Sequence, residues 1–125
     1  MSALLLDTHA LLWSVGDEDR LSPAAHEVLS VGAVPAYVSA ASIWEIAIKR
    51  ASGKLDAPEN LLDKVAEARF IELGISFEHA IRAGALPPHH GDPFDRMLVA
   101  QAQSEGLTIV TGDERVAAYD VPVLW

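Results

Sequence analysis

The chain has 125 residues, half of them apolar, which is enough for one compact domain with its own hydrophobic core. Nine basic residues stand against 18 acidic ones, and the formal net charge of −9 argues against broad binding to a phosphate backbone. The absence of cysteine excludes disulfides and thiolate metal sites and is typical of a reducing cytoplasm. We therefore expect a single cytoplasmic domain over residues 1–125.

The first 13 residues, MSALLLDTHALLW, have no basic leader and carry Asp7 and His9 inside the apolar stretch, so we expect no signal peptide. No apolar run approaches the roughly 20 residues of a membrane-spanning helix. The sequence therefore predicts a soluble protein without a membrane segment.

Short apolar segments alternate with helical patterns along the whole chain. Strands are predicted at 3–6, 36–39, 70–73, 107–111 and 121–125, and helices at 9–15, 23–31, 42–52, 58–69, 77–84, 94–105 and 114–119. The first and fourth strand segments are apolar throughout, which is typical of strands covered on both faces. This order predicts a three-layer α/β/α fold with a mainly parallel central sheet of about five strands.

The segment 91-GDPFDRMLVAQA-102 places two aspartates at the start of a helix. Asp92 occupies the N-cap position, Pro93 the first helical position and Asp95 the third, which resembles a capping box. Asp95 shares a face with the apolar residues of this helix, whereas Asp92 points elsewhere. We therefore assign the helix cap to Asp92 and regard Asp95 as a candidate site residue.

Four carboxylates from separate segments are predicted to reach one edge of the sheet. Asp7 directly follows the first strand and Asp113 follows the fourth, while Glu45 and Asp95 lie in the first turns of helices. Binding sites of parallel α/β sheets form beyond the carboxyl ends of the strands. The convergence of Asp7, Glu45, Asp95 and Asp113 at that edge favours a site.

Each of these acids also has a purely structural interpretation. Asp7 is placed to cap a helix, and Asp113 is placed to form a turn. Glu45 is positioned to pair with Lys49 one turn later, on a polar strip opposite a broad apolar arc of its helix. Each interpretation is sufficient alone, but none of them explains why all four acids converge.

A cluster of four carboxylates requires a counter-charge. Two carboxylates about 4 Å apart repel by something on the order of 4 kcal/mol at an effective dielectric constant of about 20. Oxygen ligands favour hard divalent ions such as Mg²⁺ or Mn²⁺. Such an ion polarises a phosphodiester and lowers the pKa of a bound water, so the cluster indicates a site that cleaves nucleic acid.

Four segments together strongly resemble the PIN-domain family, and within it the VapC-type toxins of toxin–antitoxin pairs. They are 5-LLDTHALLW-13, 42-SIWEIAIKRASGKL-55, 89-HHGDPFDRMLVAQA-102 and 109-IVTGDERVAAY-119, and the resemblance runs from Leu4 to Trp125. The acidic residues of the family fall on Asp7, Glu45, Asp95 and Asp113. Thr111 matches the small hydroxyl residue that precedes the last acid.

The resemblance implies an endoribonuclease that depends on Mg²⁺ or Mn²⁺, forms a homodimer and is neutralised by a cognate antitoxin protein. Asp7, Glu45 and Asp95 would hold the metal directly or through water. Asp113 would complete the cluster by positioning a second ion or the attacking water. Hydrolysis of the RNA would be in-line, without a covalent intermediate.

Basic and hydroxyl residues near the acids each have two interpretations. Lys49, Arg50 and Lys54 form the basic cluster that best suits an RNA-contacting rim, although a solvated helix end is the more common outcome. Thr8 and Ser39 either line the site or act as helix N-caps, and capping is the simpler explanation.

Arg96 either contacts phosphate or pairs with a neighbouring acid. His89 and His90 follow two prolines and either contact RNA or a metal ion or lie in a surface loop; the surface loop is the more common outcome. The apolar arc of helix 42–52 is wider than one packed face needs, so we expect part of it to meet a partner chain. Core or dimer contacts, rather than base stacking, are predicted for Trp13, Trp44 and Trp125.

Two other kinds of protein place acids at strand ends. A phosphorylated receiver-like domain normally has an acidic pair after the first strand and a later lysine, but Leu6 precedes Asp7 and no lysine follows Lys64. The remaining alternative is a non-catalytic domain whose acidic cluster binds RNA or a partner protein without cleavage.

Overall fold

The computed structural model describes residues 2–125 and contains a central sheet of five parallel strands. The strands are β1 (Leu4–Leu6), β2 (Ala36–Ser39), β3 (Ile71–Leu73), β4 (Thr108–Val110) and β5 (Val123–Leu124). Each strand lies within the segment predicted for it. Their order across the sheet is β3-β2-β1-β4-β5, so the prediction of a mainly parallel five-stranded sheet is confirmed.

In the described part of the chain, seven helices connect and cover the strands. They are α1 (Thr8–Gly16), α2 (Pro23–Val31), α3 (Ala40–Ala51), α4 (Leu61–Glu67), α5 (Phe77–Ala85), α6 (Pro93–Glu105) and α7 (Glu114–Ala117). A short 3-10 turn at Glu18–Arg20, which was not predicted, joins α1 to the segment before α2. Within residues 2–125, no helix combines the length and apolar character that a membrane crossing requires.

The apolar character of β1 reflects packing on both faces of the sheet. Leu4 and Leu6 contribute to a core cluster with α1, α2 and α3, whereas Leu5 belongs to a second cluster with α6. All three side chains are essentially inaccessible to solvent, and full burial of a leucine contributes about 1.5–3 kcal/mol. The three-layer prediction is confirmed, because successive leucines alternate between the two helical layers.

The chain reverses its direction of travel across the sheet at β1. It moves from β1 to β2 and β3, and then returns to place β4 and β5 on the opposite side of β1. The crevice beyond the carboxyl ends of β1 and β4 is therefore the switch point at which ligand sites of such sheets form. Asp7 follows β1 at this point, and Thr111 to Asp113 follow β4.

Candidate metal centre at the carboxyl edge of the sheet

A cleft of ≈ 440 Å³ opens at this switch point and contains all four predicted acids. A fifth carboxylate lines it as well. The acidic side chains at the cleft are Asp7, Glu45, Asp92, Asp95 and Asp113, and the cationic ones are Lys49 and Arg115. Acids therefore outnumber the fixed cations, and the predicted convergence of four carboxylates is observed.

Asp7 combines the structural role and the proposed chemical role. Its Oδ1 accepts a 2.7 Å hydrogen bond from the backbone N–H of Ala10, so it caps α1. The Thr111 hydroxyl also hydrogen-bonds its side chain and accepts the backbone N–H of Asp113 at 3.0 Å. Burial raises the pKa of Asp7 above its ordinary value, and the two hydrogen bonds to its side chain oppose that rise.

Glu45 is only 6% exposed and points into the cleft. Its Oε1 accepts the Thr8 hydroxyl at 2.5 Å and its Oε2 accepts Nζ of Lys49 at 2.5 Å. Glu45 belongs to the predicted polar strip of α3 and is nevertheless buried, whereas Trp44 of the predicted apolar arc is 62% accessible. A helical projection of α3 cannot show that Thr8 of α1 donates a hydrogen bond to Glu45. The Lys49 pair was correctly predicted, and this hydrogen bond raises the pKa of Lys49.

Thr8 does not cap α1, because Asp7 occupies that position. Its hydroxyl instead fixes one oxygen of Glu45, so the capping interpretation was wrong for Thr8. Ser39 does act as a cap: its buried hydroxyl accepts the backbone N–H of Ala41 at 3.0 Å. Ser39 is not among the residues that line the cleft.

Asp95 lies in the first turn of α6, and its side chain is 22% exposed. Burial is the largest influence on its carboxyl group, and the negative charge of Asp92 is the next. Together with Glu45 and Asp7, they raise the pKa of Asp95 to about 6, against the opposing effect of His90. This carboxyl therefore retains a proton well above its ordinary pH range when no cation neutralises the cluster.

His90 is buried between two of the acids, and the prediction of a surface loop was wrong for it. Its Nε2 lies 2.9 Å from Oδ2 of Asp95 and 3.3 Å from Oδ2 of Asp113. His89 is exposed, as predicted. The local signal that was missed is the spacing to the N-cap: His90 Nδ1 accepts the backbone N–H of Asp92, two residues later, at 3.1 Å.

Asp113 caps α7 and is held by Arg115. Its Oδ1 accepts the backbone N–H of Arg115 at 2.9 Å, and its Oδ2 lies 3.2 Å from the guanidinium of the same residue. Partial burial would raise the pKa of Asp113, but the hydrogen bonds and charge of Arg115 outweigh it and lower the pKa. Asp113 is thus ionised more readily than the other acids whose pKa is shifted, and Arg115 was not predicted as a site residue.

The family model that matches this arrangement is the PIN domain, over residues 4–122. The chain belongs to the PIN-domain family. It is 31% identical to Ribonuclease VapC22 of Mycobacterium tuberculosis, covering 98% of this chain and 95% of that protein, which confirms the VapC-type resemblance. Solved structures confirm the fold of this PIN domain. DNA-bound VapBC from Salmonella typhimurium has a TM-score of 0.72 at 21% identity, with 98% and 97% of the two chains covered.

A toxin–antitoxin complex from Klebsiella pneumoniae is also similar in fold to this PIN domain. Its TM-score is 0.65 at 20% identity, and the match covers 96% of this chain and 94% of that one.

Arg96 supports the loop that leads into α6 of the PIN domain. Among the described residues its guanidinium contacts no acid, so the ion-pair interpretation was wrong; contact with phosphate stays a prediction, for a residue that does not line the cleft. It lies next to Asp95 in sequence, but the α6 backbone directs it towards the end of α5. There it donates to the backbone carbonyls of Ala83, Leu86, Pro87 and His90 and to the Tyr119 hydroxyl, over 2.9–3.4 Å.

The predicted basic rim is divided between two surfaces. Lys49 lines the cleft, whereas Arg50 faces a groove between α3 and α4, with its guanidinium 3.7 Å from Glu59. Lys54 is exposed beyond the end of α3. Consecutive residues of an α-helix point about 100° apart around its axis, so Lys49 and Arg50 face different surfaces, and these three residues do not form one rim around the acids.

Two tryptophans predicted as core or dimer contacts also line the cleft. Trp13 packs partly against the core, and its ring lies 5.8 Å from that of Trp125 and 5.5 Å from the stacked ring of His9. A Cβ atom at Gly112 would lie 2.8 Å from the Trp125 ring, so glycine permits this close approach beside Asp113. The aromatic wall therefore borders the acidic cluster.

The side chains of this PIN domain fit a hard divalent cation. Carboxylate oxygens from β1, α3, α6 and the turn after β4 face one cleft, and oxygen is the ligand that Mg²⁺ and Mn²⁺ prefer. Burial raises the pKa of both Asp7 and Asp95, so in the absence of a cation these two carboxyl groups bind protons more readily than isolated aspartates do. A cation would replace those protons.

Proposed function

We propose that this PIN domain is a metal-dependent endoribonuclease and the toxin of a VapBC-type toxin–antitoxin pair. The convergence of Asp7, Glu45, Asp95 and Asp113 in one cleft carries the proposal. It is supported by the similarity of nearly the whole chain to Ribonuclease VapC22. We further propose that residues 1–125 form this single domain.

We assign Asp7, Glu45 and Asp95 as the residues that hold Mg²⁺, or Mn²⁺ in its place, with Asp113 completing the cluster. A divalent cation bound there supplies Lewis-acid polarisation of a phosphodiester. The raised pKa of Asp95 supports this assignment, because a buried acid with like-charged neighbours is a common feature of functional sites.

The hydroxyl residues orient the acids. Thr111 connects Asp7 to the backbone of Asp113, so the carboxyl ends of β1 and β4 keep a fixed separation. Thr8 holds one oxygen of Glu45 while Lys49 holds the other. These contacts restrict the rotamers of the acids before a ligand arrives, which reduces the cost of ordering them.

Two cations of the cleft are suited to phosphate oxygens of RNA. Lys49 lies within hydrogen-bonding distance of Glu45, and the exposed Arg115 guanidinium pairs with Asp113. Of the basic residues predicted from the sequence, Lys49 is the one that the cleft geometry favours for RNA contact. We add Arg115 to this assignment, because it offers a planar donor group at the cleft mouth.

The partners that we propose are a cognate antitoxin protein and a second copy of the chain. The similarity to a toxin–antitoxin complex from Klebsiella pneumoniae supports the first. Exposed apolar side chains support protein contacts in general, with Phe77 92% and Ile81 75% accessible on α5. Trp44 and Ile48 on α3 are also exposed, as the wide apolar arc of that helix predicted.

RNA cleavage by the purified protein tests the enzymatic proposal. The substrate is a mixed pool of structured RNAs, incubated with Mg²⁺, with Mn²⁺ or with EDTA, beside an Asp95→Asn variant whose fold is verified by circular dichroism. We expect discrete products that disappear with EDTA and in the variant.

Equal cleavage by the variant would refute the assigned site. Metal-dependent cleavage would reject the alternative of a non-catalytic interaction domain, which binds RNA or a partner protein without products. RNA binding at the cleft without products under any metal condition would favour that alternative.

A further inference from the structure

His90 is the buried side chain of the cluster to which the four-acid assignment gives no role. Its Nε2, an oxygen of Asp95 and an oxygen of Asp113 all lie within 4.8 Å of one another, which is close enough for three ligands of one metal ion. Distance alone would thus predict a mixed histidine and carboxylate site of the kind that suits zinc or manganese. The hydrogen bonds of the ring point to a different role.

The backbone of Asp92 determines which nitrogen of His90 carries the proton. A backbone N–H is always a donor, and that of Asp92 approaches Nδ1 of His90 at 3.1 Å. Nδ1 must therefore accept, and the proton of the neutral ring must lie on Nε2. A protonated Nε2 has no lone pair for a metal ion.

The Nε2–H group faces two carboxylate oxygens. It hydrogen-bonds Oδ2 of Asp113 at 3.3 Å and lies 2.9 Å from Oδ2 of Asp95. Asp113 thus receives donors on both oxygens, because Arg115 donates to Oδ1 and Oδ2. Among residues 2–125, Oδ1 of Asp95 has no hydrogen-bond donor, although this residue lines the cleft.

We propose that His90 is a positioning residue that holds Asp113 through its Nε2–H hydrogen bond, lies against the carboxylate of Asp95 and does not bind the metal. Asp95 then presents its other oxygen to the cation, and the ligand set consists of oxygen atoms alone. This inference rests on the proposed function, because it concerns the cation that the four acids are assigned to hold. It predicts a preference for hard divalent ions over zinc.

The loop around His90 is anchored independently of the imidazole. The backbone N–H of His90 donates to the Tyr119 hydroxyl at 3.0 Å, and Arg96 donates to its carbonyl at 3.4 Å. A substitution at this position therefore changes the ring's contacts to the acids and to the backbone N–H of Asp92, while the two hydrogen bonds of the His90 main chain remain.

A matched pair of variants tests the positioning role. In His90→Gln, the terminal amide can place an N–H group close to where Nε2 lies, whereas His90→Asn carries the same amide one carbon shorter and cannot reach both acids. The affinity for Mn²⁺ is measured by titration calorimetry, and thermal unfolding in EDTA verifies the fold of each variant.

We expect His90→Asn to weaken Mn²⁺ binding by about 10-fold or more, the usual effect of losing a group that orients metal ligands. We expect His90→Gln to recover most of the affinity. Equal loss in both variants would indicate that the ring itself is a ligand, and wild-type affinity in both would show that His90 positions nothing; either result overturns the proposal.

The protonation state of the ring provides a readout that is independent of variants and of RNA cleavage. Long-range ¹H–¹⁵N NMR spectra distinguish a protonated from an unprotonated ring nitrogen, and Mg²⁺ is diamagnetic. We expect Nε2 of His90 to be protonated both before and after saturation with Mg²⁺. Loss of that proton on metal addition would overturn the proposal. Failure of the protein to cleave RNA, with the NMR result as expected, would instead refute the proposed function alone.

Discussion

Oδ1 of Asp92 accepts a hydrogen bond from the backbone N–H of Asp95 at 3.1 Å and, after burial, its charge is the largest cause of the raised pKa of that same residue. The residue that caps α6 thus also modifies the chemistry of the site. The sequence correctly assigned the cap to Asp92, but the side chain lines the cleft as well. Asp92 therefore both caps α6 and influences the protonation of Asp95 in the cleft.

We expect Asp95→Asn to stabilise the metal-free protein at neutral pH. The folded state raises the pKa of Asp95 from 3.8 to about 6, so folding favours its proton, and stability declines as pH rises through this interval. Above about pH 6 the ionised carboxyl of Asp95 destabilises the folded state by the full amount. Asparagine carries no charge and therefore removes this destabilisation. With allowance for partial exposure, we expect a gain on the order of 1–2 kcal/mol.

Chemical unfolding in EDTA measures this gain at pH 7.5 and at decreasing pH. The difference between wild type and Asp95→Asn should shrink as pH approaches 4, because the wild-type carboxyl is then protonated as well. A variant that is less stable than wild type at pH 7.5 would show that Asp95 is stabilised in its ionised form, contrary to its raised pKa.

We expect metal affinity to increase as pH rises through about 6. A cation competes with the proton on Asp95, whose pKa is raised to about 6, and the raised pKa of Asp7 acts in the same direction. Calorimetric titration with Mn²⁺ between pH 5 and pH 8 measures this dependence. Affinity that is constant over that range would contradict the assignment of Asp95 as a ligand.

Replacement of Asp92 should separate its two effects. Asparagine retains an oxygen that caps α6, so Asp92→Asn should cost little stability, yet the loss of charge should lower the pKa of Asp95. Alanine removes the cap as well and should cost about 1 kcal/mol. The pH midpoint of Mn²⁺ binding should therefore decrease in Asp92→Asn, and an unchanged midpoint would exclude an electrostatic role for Asp92.

The four acids were predictable because local order determined their positions. Asp7 and Asp113 follow strands whose apolar sequences reveal them, and a parallel sheet brings the carboxyl ends of neighbouring strands together. Glu45 and Asp95 lie in the first turns of helices that begin at the same edge. No contact distant in sequence is needed to infer that these residues share an edge.

The environments of individual side chains were not predictable, because they depend on distant residues. His90 contacts Asp113, 23 positions away, and the Tyr119 hydroxyl, 29 positions away. The burial of Glu45 was not predicted, because the projection of its own helix does not include Thr8, 37 positions earlier. The carbonyl partners of Arg96 were not predicted, because they belong to a loop whose shape the sequence does not reveal.

Arg96 should contribute to the stability of the fold through the loop before α6. Its guanidinium donates to carbonyls of the α5–α6 connection and to the Tyr119 hydroxyl, which itself donates to the Pro87 carbonyl at 2.7 Å. Removal of the guanidinium deprives several partly buried acceptors, among them the carbonyls of Ala83 and Leu86, of a charged donor, so Arg96→Ala should lower the free energy of unfolding by about 2–4 kcal/mol. Arg96→Lys should recover only a small part of the lost stability, because one ammonium group cannot reach all the acceptors that the planar guanidinium contacts.

Urea unfolding in EDTA measures these differences without any contribution from metal or RNA. The matched control is Lys54→Ala, which removes an exposed positive charge outside the cleft and should change stability by less than about 0.5 kcal/mol. Arg96→Ala with wild-type stability and weakened RNA binding would contradict the loop-holding role and support contact with phosphate. Loss of stability in Arg96→Ala, with the Lys54→Ala control unaffected, would establish that Arg96 holds the loop that carries His90.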